Sequence, residues 1–379
     1  MTPDVWPVES LFLVLTRSCN LRCTYCDNRP RPPARMERPT IEAAVQRLWA
    51  GGRRDVRLLF TGGEPLLEYP LLRQTIGFAR STRPPGRTVS FDLLTNGTLL
   101  REEHIAFLAK HRVSVQISLD GREPAQRLRG ARTFARLDAL VTRLRERHRA
   151  WFQHRVSAAV TLVPETVAHL ADSIDYLLGR GFTELAVAPA MGDIHGWQEG
   201  LLPLLDDQFA RVYRSSLEHY RRTGLVPVTL FREVSSSPQP PSSPLCGIAN
   251  GNMAVVDVDG QVYGCSTVIG SALAASTGLL RTAANAMRIG HISDRGLPAR
   301  LPGYRKALGA TGLFGRRDGN RSSHGACRDC AYLRYCSVCP LSIALAPGAE
   351  DPTQVPDFMC AFNRVALKHR KRFPRQKNV

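Results

Sequence analysis

Three thiols crowd into one short stretch near the start of the chain, Cys19-Asn20-Leu21-Arg22-Cys23-Thr24-Tyr25-Cys26. Thiolates at a C-x3-C-x2-C spacing can wrap one corner of an iron–sulfur cubane and ligate three of its four irons. The fourth iron then stays open to a further ligand, a position that a structural four-cysteine cluster does not offer. The rival assignments are a zinc site or three unrelated cysteines. The apolar run Leu11 to Leu15 just before them reads as a buried strand, so the thiols belong on the loop leaving it.

A second set of seven cysteines follows a long gap, with none between residues 27 and 245. Cys246 and Cys265 flank Gly260 as C-x13-G-x4-C. Cys327, Cys330, Cys336 and Cys339 run C-x2-C-x5-C-x2-C, and Cys360 comes last. In a reducing compartment such a set argues for metal sites rather than disulfides. Pairs of C-x2-C also suit zinc, but zinc modules usually separate their pairs by a longer loop, and seven does not divide into fours.

The elements that must position these groups alternate from residue 11 to about 215. Strands are expected at Leu11–Leu15, Val56–Phe60, Val89–Leu94, Val113–Leu119, Val156–Leu162 and Glu184–Ala188. Helices are expected between them at Ile41–Ala50, Leu71–Arg80, Arg101–His111, Phe134–Arg149 and Val167–Leu178, with another at Asp206–Thr223. That order predicts an α/β fold with a parallel sheet curled into a partial (β/α)6, TIM-like barrel, whose chemistry sits at the strands' C-terminal ends. A Ser/Pro-rich stretch divides the chain into a barrel at 1–234, a linker at 235–245 and a smaller cysteine-rich domain at 246–379. In the latter, Met253–Val258 and Gln261–Tyr263 around Asp259-Gly260 predict a hairpin. The rest of the segment up to Cys327 yields no assignment.

Strand ends supply further polar groups. Thr61-Gly62-Gly63-Glu64-Pro65 follows the second strand, 35 residues after Cys26. Its glycines let backbone carbonyls approach a ligand, and the Glu64 carboxylate can meet an ammonium group. Thr95-Asn96-Gly97 closes the third strand and Ser118-Leu119-Asp120-Gly121 the fourth. Such ends suit a ligand rich in hydroxyls with a carboxylate, although Asn-Gly and Asp-Gly are also ordinary turns. His104, His148, His169 and His195 have no ligand spacing and read as surface residues.

Taken together, these motifs resemble the radical S-adenosylmethionine (SAM) superfamily, and the C-terminal cysteines resemble the SPASM domain of its peptide-modifying members. The resemblance implies a [4Fe-4S] cluster on Cys19, Cys23 and Cys26 whose open iron chelates SAM, giving a 5′-deoxyadenosyl radical on one-electron reduction. It implies SAM contacts at Tyr25, Gly62, Gly63, Glu64, Asn96, Ser118 and Asp120. Relatives show a His-Asp pair and then an Arg that meets the SAM carboxylate; here Gln126-Arg127-Leu128-Arg129 stands instead, one residue shorter, and Arg129 takes that role. Two auxiliary iron–sulfur clusters are implied, the outer on Cys327, Cys330, Cys336 and Cys360, the inner on Cys246, Cys265 and Cys339. Three thiolates leave the inner cluster an open or non-cysteine fourth position.

With 51 basic against 33 acidic residues the chain carries a net charge of +18. Only five of the basic residues are lysines, and apart from the adjacent Trp151-Phe152 no aromatic residues interleave with the dense clusters at Arg143–Arg155 and Lys368–Arg372. That pattern argues for a solvated basic face or an acidic peptide or redox partner rather than nucleic acid. No apolar stretch approaches the ~20 residues of a membrane span and no signal peptide is evident, which predicts a cytoplasmic protein.

The expected function is hydrogen abstraction from a ribosomally made precursor peptide (a RiPP substrate), followed by a crosslink or other oxidation. The expected partners are that peptide and a reductant such as flavodoxin or ferredoxin; since the first strand begins by residue 11, a leader, if recognised, is expected to be read by a separate leader-recognition protein or by the barrel itself. The alternatives are a small-molecule radical SAM oxidoreductase and a sulfatase-type formylglycine maturase. The latter typically carries an Asp directly after the cysteine equivalent to Cys265, where this chain has Ser266.

Overall fold

The computed structural model describes residues 6, 8–26, 32–191, 195–232, 251–269 and 278–374. Six strands form the barrel wall: β1 (Ser10–Thr16), β2 (Asp55–Gly62), β3 (Thr88–Thr95), β4 (Ser114–Ser118), β5 (Val156–Leu162) and β6 (Leu185–Pro189). Each pairs in parallel with its neighbour in sequence, giving the order β6-β5-β4-β3-β2-β1. Parallel neighbours need a crossover, and helices supply most of it. They are α1 (Arg38–Ala50), α2 (Tyr69–Ser81), α3 (Glu102–Lys110), α4 (Glu123–Gln126), α5 (Thr133–Arg147), α6 (Arg149–Arg155) and α7 (Leu170–Gly179). Their buried faces keep helical spacing, as with Ile41, Ala44, Val45 and Leu48 on α1 or Leu72, Thr75, Ile76 and Ala79 on α2.

Strand alternation sorts the barrel's two faces. On β4, Val115 and Ile117 are buried, while Ser114, Gln116 and Ser118 are half-buried along the opposite face. α8 (Leu202–Thr223) follows the barrel and ends at Gly224 in the left-handed conformation (φ 74°). The helix expected over Phe134–Arg149 breaks at His148 into α5 and α6.

The second region does not form a separate layer. β7 (Met253–Val256) pairs in parallel with β1, then β8 (Gln261–Tyr263) and β9 (Arg288–His291) add antiparallel, so one nine-stranded sheet runs through the described residues. The hairpin's first strand stops at Val256 because Asp257 opens the turn, accepting from Val258 N and bonding Arg17. The segment without a sequence assignment holds α9 (Gly278–Met287), β9 and α10 (Leu301–Ala310). β10 (Arg321–Ser322) and β11 (Gly325–Ala326) form a small ribbon before α11 (Pro340–Leu345) and α12 (Asp357–Arg370). The linker at 235–245 lies outside the described residues.

Two expectations change. His104 is buried, accepts from Arg101 N at 3.2 Å and packs 4.1 Å from the Tyr69 ring, so it caps α3 rather than facing solvent. The basic tail is only partly solvated: Lys368 and His369 both bond Asp206 on α8, and His369 is buried. No helix among the described residues is long and apolar enough to cross a membrane.

Candidate active site

β1 ends at Thr16, and the next two residues stitch the thiol loop to its surroundings. Gly63 N donates to Thr16 O and Glu64 N to Ser18 O, so the Gly62-Gly63 turn lies directly against the base of the loop. A Cβ on Gly62 would stand 2.2 Å from Thr16 O, and one on Gly63 2.2 Å from Ser18 O. The glycines therefore admit the loop's own backbone, a use the sequence reading assigned to a ligand. Arg17 reaches across to the hairpin, bonding Asp257 at 2.7 Å and Asp259 at 3.3 Å, and so ties the loop to the second region.

Glu64 turns inward. Its carboxylate is fully buried and accepts from Thr95 Oγ1 at 2.6 Å, Leu66 N at 3.1 Å and Asn96 N at 2.8 Å. Burial pushes its carboxyl up, against those three donors. In this geometry the carboxylate fastens the end of β3. Asn96 is drawn to the thiol loop: its amide donates to Asn20 Oδ1 at 2.9 Å and lies 3.9 Å from Cys19 Sγ.

Asp120 is the hub on the other side. Arg129 bonds it bidentately, both at 2.8 Å, with both side chains buried. Tyr25 donates its hydroxyl to the same carboxylate, and Thr161 N donates to it at 2.8 Å. Arg129 also donates to Thr161 Oγ1 at 3.1 Å, and its guanidinium lies 5.3 Å from the Tyr25 ring centre. Burial opposes the Arg129 charge, but Asp120 outweighs it and holds the guanidinium protonated. Burial pushes the Tyr25 hydroxyl up, and Asp120 adds to this against Arg129. Thr24 N donates to Leu128 O at 2.9 Å, which pins the middle of the thiol loop to the turn carrying Arg129.

The thiols are shaped by the same frame. Burial, opposed by Arg129 and reinforced by Cys26 and Cys19, pushes Cys23 up to about 11. Mutual repulsion among thiolates is relieved by a bound cation, so this donor set fits the cluster that its spacing implies.

Beside the loop, a cavity of about 330 Å³ opens at the C-terminal ends of the strands. Tyr25, Cys26, Thr61 and Gly62 line one side, Thr161 and Pro189 to Met191 another, and Ser266, Thr267 and Ile269 close it from the second region. The lining is hydroxyl and apolar; no carboxylate or histidine of the described residues faces it. Of the expected contacts, Tyr25, Cys26 and Gly62 line this cavity directly. Asp120, Arg129, Glu64 and Asn96 support its walls, and Ser118 ends β4 half-buried. Thr161 and Pro189 to Met191 had no sequence motif beyond their place at strand ends. Ser266 had stood out only for what it was not.

A second cavity gathers Cys327, Cys330, Cys336 and Cys360 with Leu333, Val338 and Val355. Burial first, then the Cys360, Cys336 and Cys330 thiols, push Cys327 up to about 11. Four mutually repelling thiols around an apolar hollow again fit a cationic iron–sulfur group. Cys265 and Cys339 are half-buried, at the starts of a 3-10 turn (Ser266–Val268) and of α11, and neither lines this cavity. Cys246 lies outside the described residues. Among the described residues no three His, Cys, Asp or Glu side chains converge as ligands of one metal ion would.

Residues 13–177 match the radical SAM superfamily. Over 281 residues the chain is 27% identical to a serine-type anaerobic sulfatase-maturating enzyme of Klebsiella aerogenes, covering 69% of this chain and 67% of that one. The fold is similar to that of anSMEcpe bound to AdoMet and the Kp18Cys peptide, with a TM-score of 0.70 at 17% identity over 95% of this chain and 96% of that one. It is also similar to Streptococcus suis SuiB bound to its precursor peptide SuiA, with a TM-score of 0.58 at 14% identity over 93% and 76%.

Proposed function

We propose that this chain, whose residues 13–177 match the radical SAM superfamily, acts as a radical SAM enzyme that oxidises a ribosomally made peptide at an unactivated carbon, forming a crosslink. SAM and the [4Fe-4S] cluster on Cys19, Cys23 and Cys26, when bound, supply a 5′-deoxyadenosyl radical that removes the hydrogen atom. The chain's own residues hold and screen the site. Tyr25 and Thr161, locked by Asp120 and Arg129, fix one wall; Thr61 and Gly62 fix the next; Pro189 to Met191 and Ser266 to Ile269 enclose the reacting side chain. Enclosure excludes water from a carbon radical and orients its coupling partner. Cys327, Cys330, Cys336 and Cys360 hold the outer auxiliary cluster, and Cys265, Cys339 and Cys246 the inner one.

One observation carries the reading: the thiol loop and the turn after Cys265 meet at a single cavity with a hydroxyl and apolar lining. Two solved neighbours, anSMEcpe and SuiB, are bound to peptides, which supports a peptide substrate. The second reading, formylglycine formation, is favoured by the fold likeness to anSMEcpe and opposed by Ser266, which brings a hydroxyl where a carboxylate base would stand.

The test is anaerobic turnover of the reconstituted enzyme with SAM, dithionite and peptides encoded beside the gene, followed by mass spectrometry. The expected product has lost two hydrogens, carries no aldehyde and forms alongside 5′-deoxyadenosine. A hydrazide-reactive peptide would establish the maturase reading instead. Turnover of a small molecule with every peptide untouched would end the peptide assignment.

A further inference from the structure

The face over the four-thiol cavity has a composition of its own. Between Cys330 and Cys336 the chain makes a short loop on which Arg334 and Tyr335 are exposed. Tyr335, at 44%, is one of three large hydrophobic side chains that stand out among the described residues; Leu67 and Leu225 are the others. The end of α12 crosses this loop. Lys371 Nζ lies 4.5 Å from the Tyr332 ring centre and donates to Ala331 O at 3.3 Å, and the Arg370 guanidinium sits 5.8 Å from the Tyr335 ring centre. Arg328 on the preceding turn is exposed as well, and the stretch 327–337 contains a single acid, Asp329. An exposed tyrosine ringed by arginine and lysine is the make-up of a protein-binding hot spot, and its charge selects an acidic partner.

We propose that this Tyr335-centred face docks a small acidic protein carrying a one-electron redox centre of the flavodoxin type. The proposal rests on the reading that Cys327, Cys330, Cys336 and Cys360 hold a cluster. Oxidation at carbon that begins with transfer of one hydrogen atom to the deoxyadenosyl radical is completed when the substrate loses one proton and one further electron. Where that electron is not returned to the first cluster it leaves the protein, and an oxidised flavin carrier accepts one electron per visit. The loop joins two of the four thiols, Cys330 and Cys336, so a partner seated on it stands beside that group.

The experiment is calorimetric titration of the anaerobically reconstituted full chain with an acidic bacterial flavodoxin at low and at physiological salt, with iron and sulfide counted in every variant. Saturable one-to-one binding that weakens with salt is expected. Arg334→Glu should weaken it about tenfold, equivalent to ~1.4 kcal/mol. Lys371→Glu should act similarly, and Tyr335→Ser should weaken it about fivefold while keeping the salt dependence. Arg83→Glu, an exposed residue at the end of α2 whose reversal changes net charge equally, should leave binding unaltered. If Arg83→Glu weakens binding as much as Arg334→Glu, the attraction is that of the whole basic chain and the docking face is wrong. If a polyglutamate peptide displaces flavodoxin only from a Tyr335-independent site, or occupies this face in its place, the proposal is equally overturned. Wild type that takes up no iron at the four C-terminal thiols would sink the cluster reading. Full iron with flavodoxin binding indifferent to Arg334 and Tyr335 would sink the docking face alone.

Discussion

The two thiol sets are held in opposite ways. Around Cys19, Cys23 and Cys26 the protein supplies a rigid frame: strand ends, two glycine contacts, the Arg17–Asp257 tie and the buried Asp120–Arg129 pair. Around Cys327, Cys330, Cys336 and Cys360 it supplies an apolar hollow, short 3-10 turns (Cys327–Asp329 and Leu333–Tyr335) and a two-residue ribbon. The first site is organised before anything binds. The second has less protein framework, so the prediction is that it draws more of its order from a bound group.

The sharpest division concerns activity against stability. Replacing Cys19, Cys23 and Cys26 by Ala should abolish 5′-deoxyadenosine formation entirely, yet change the unfolding free energy by no more than about 1 kcal/mol in denaturant titration. Stripping iron should do the reverse to the second region. Hydrogen exchange should show amides 317–336 losing nearly all protection while those of β1 keep theirs; equal protection in both would erase the distinction. Within the first frame, Asp120→Ala leaves the Arg129 charge buried and unpaired, and should cost about 3–5 kcal/mol by thermal or chemical unfolding. Gly63→Ala forces a methyl group into Ser18 O and should cost about 1–3 kcal/mol, with a shifted spectroscopic signature of the first cluster. The smallest effect belongs to the surface: Asp206→Ala, which releases Lys368 and His369, should cost at most about 1 kcal/mol.

The same contrast explains what could be read from the residues alone. The barrel was legible because each of its strands is a short apolar or alternating run, and all six lie within a residue or two of their expected bounds. The thiol loop was legible because its ligands are close in sequence. The cavity's other walls were not, because Thr161, Pro189 to Met191 and Ser266 to Ile269 meet only through the curl of the sheet and the added hairpin. Glu64 was placed at the right strand end, but its inward turn depends on Thr95 and Asn96 N, a tertiary match that no spacing reports. The region from 278 to 326 mixes two helices with short strands and offers no sustained period, so it stayed unreadable.

The pairing of β7 with β1 has a consequence for how the chain is made. β1 is translated long before its second neighbour, which arrives only at Met253–Val256. Until β7 is made, the nascent barrel therefore presents a bare strand, with its row of unsatisfied amides, along the edge that leads into the thiol loop. A fragment ending at residue 234 would keep that edge for good. Pairing with the β1 edge of a second copy is the readiest way to cover it, so such a fragment should dimerise or aggregate rather than persist as a monomer.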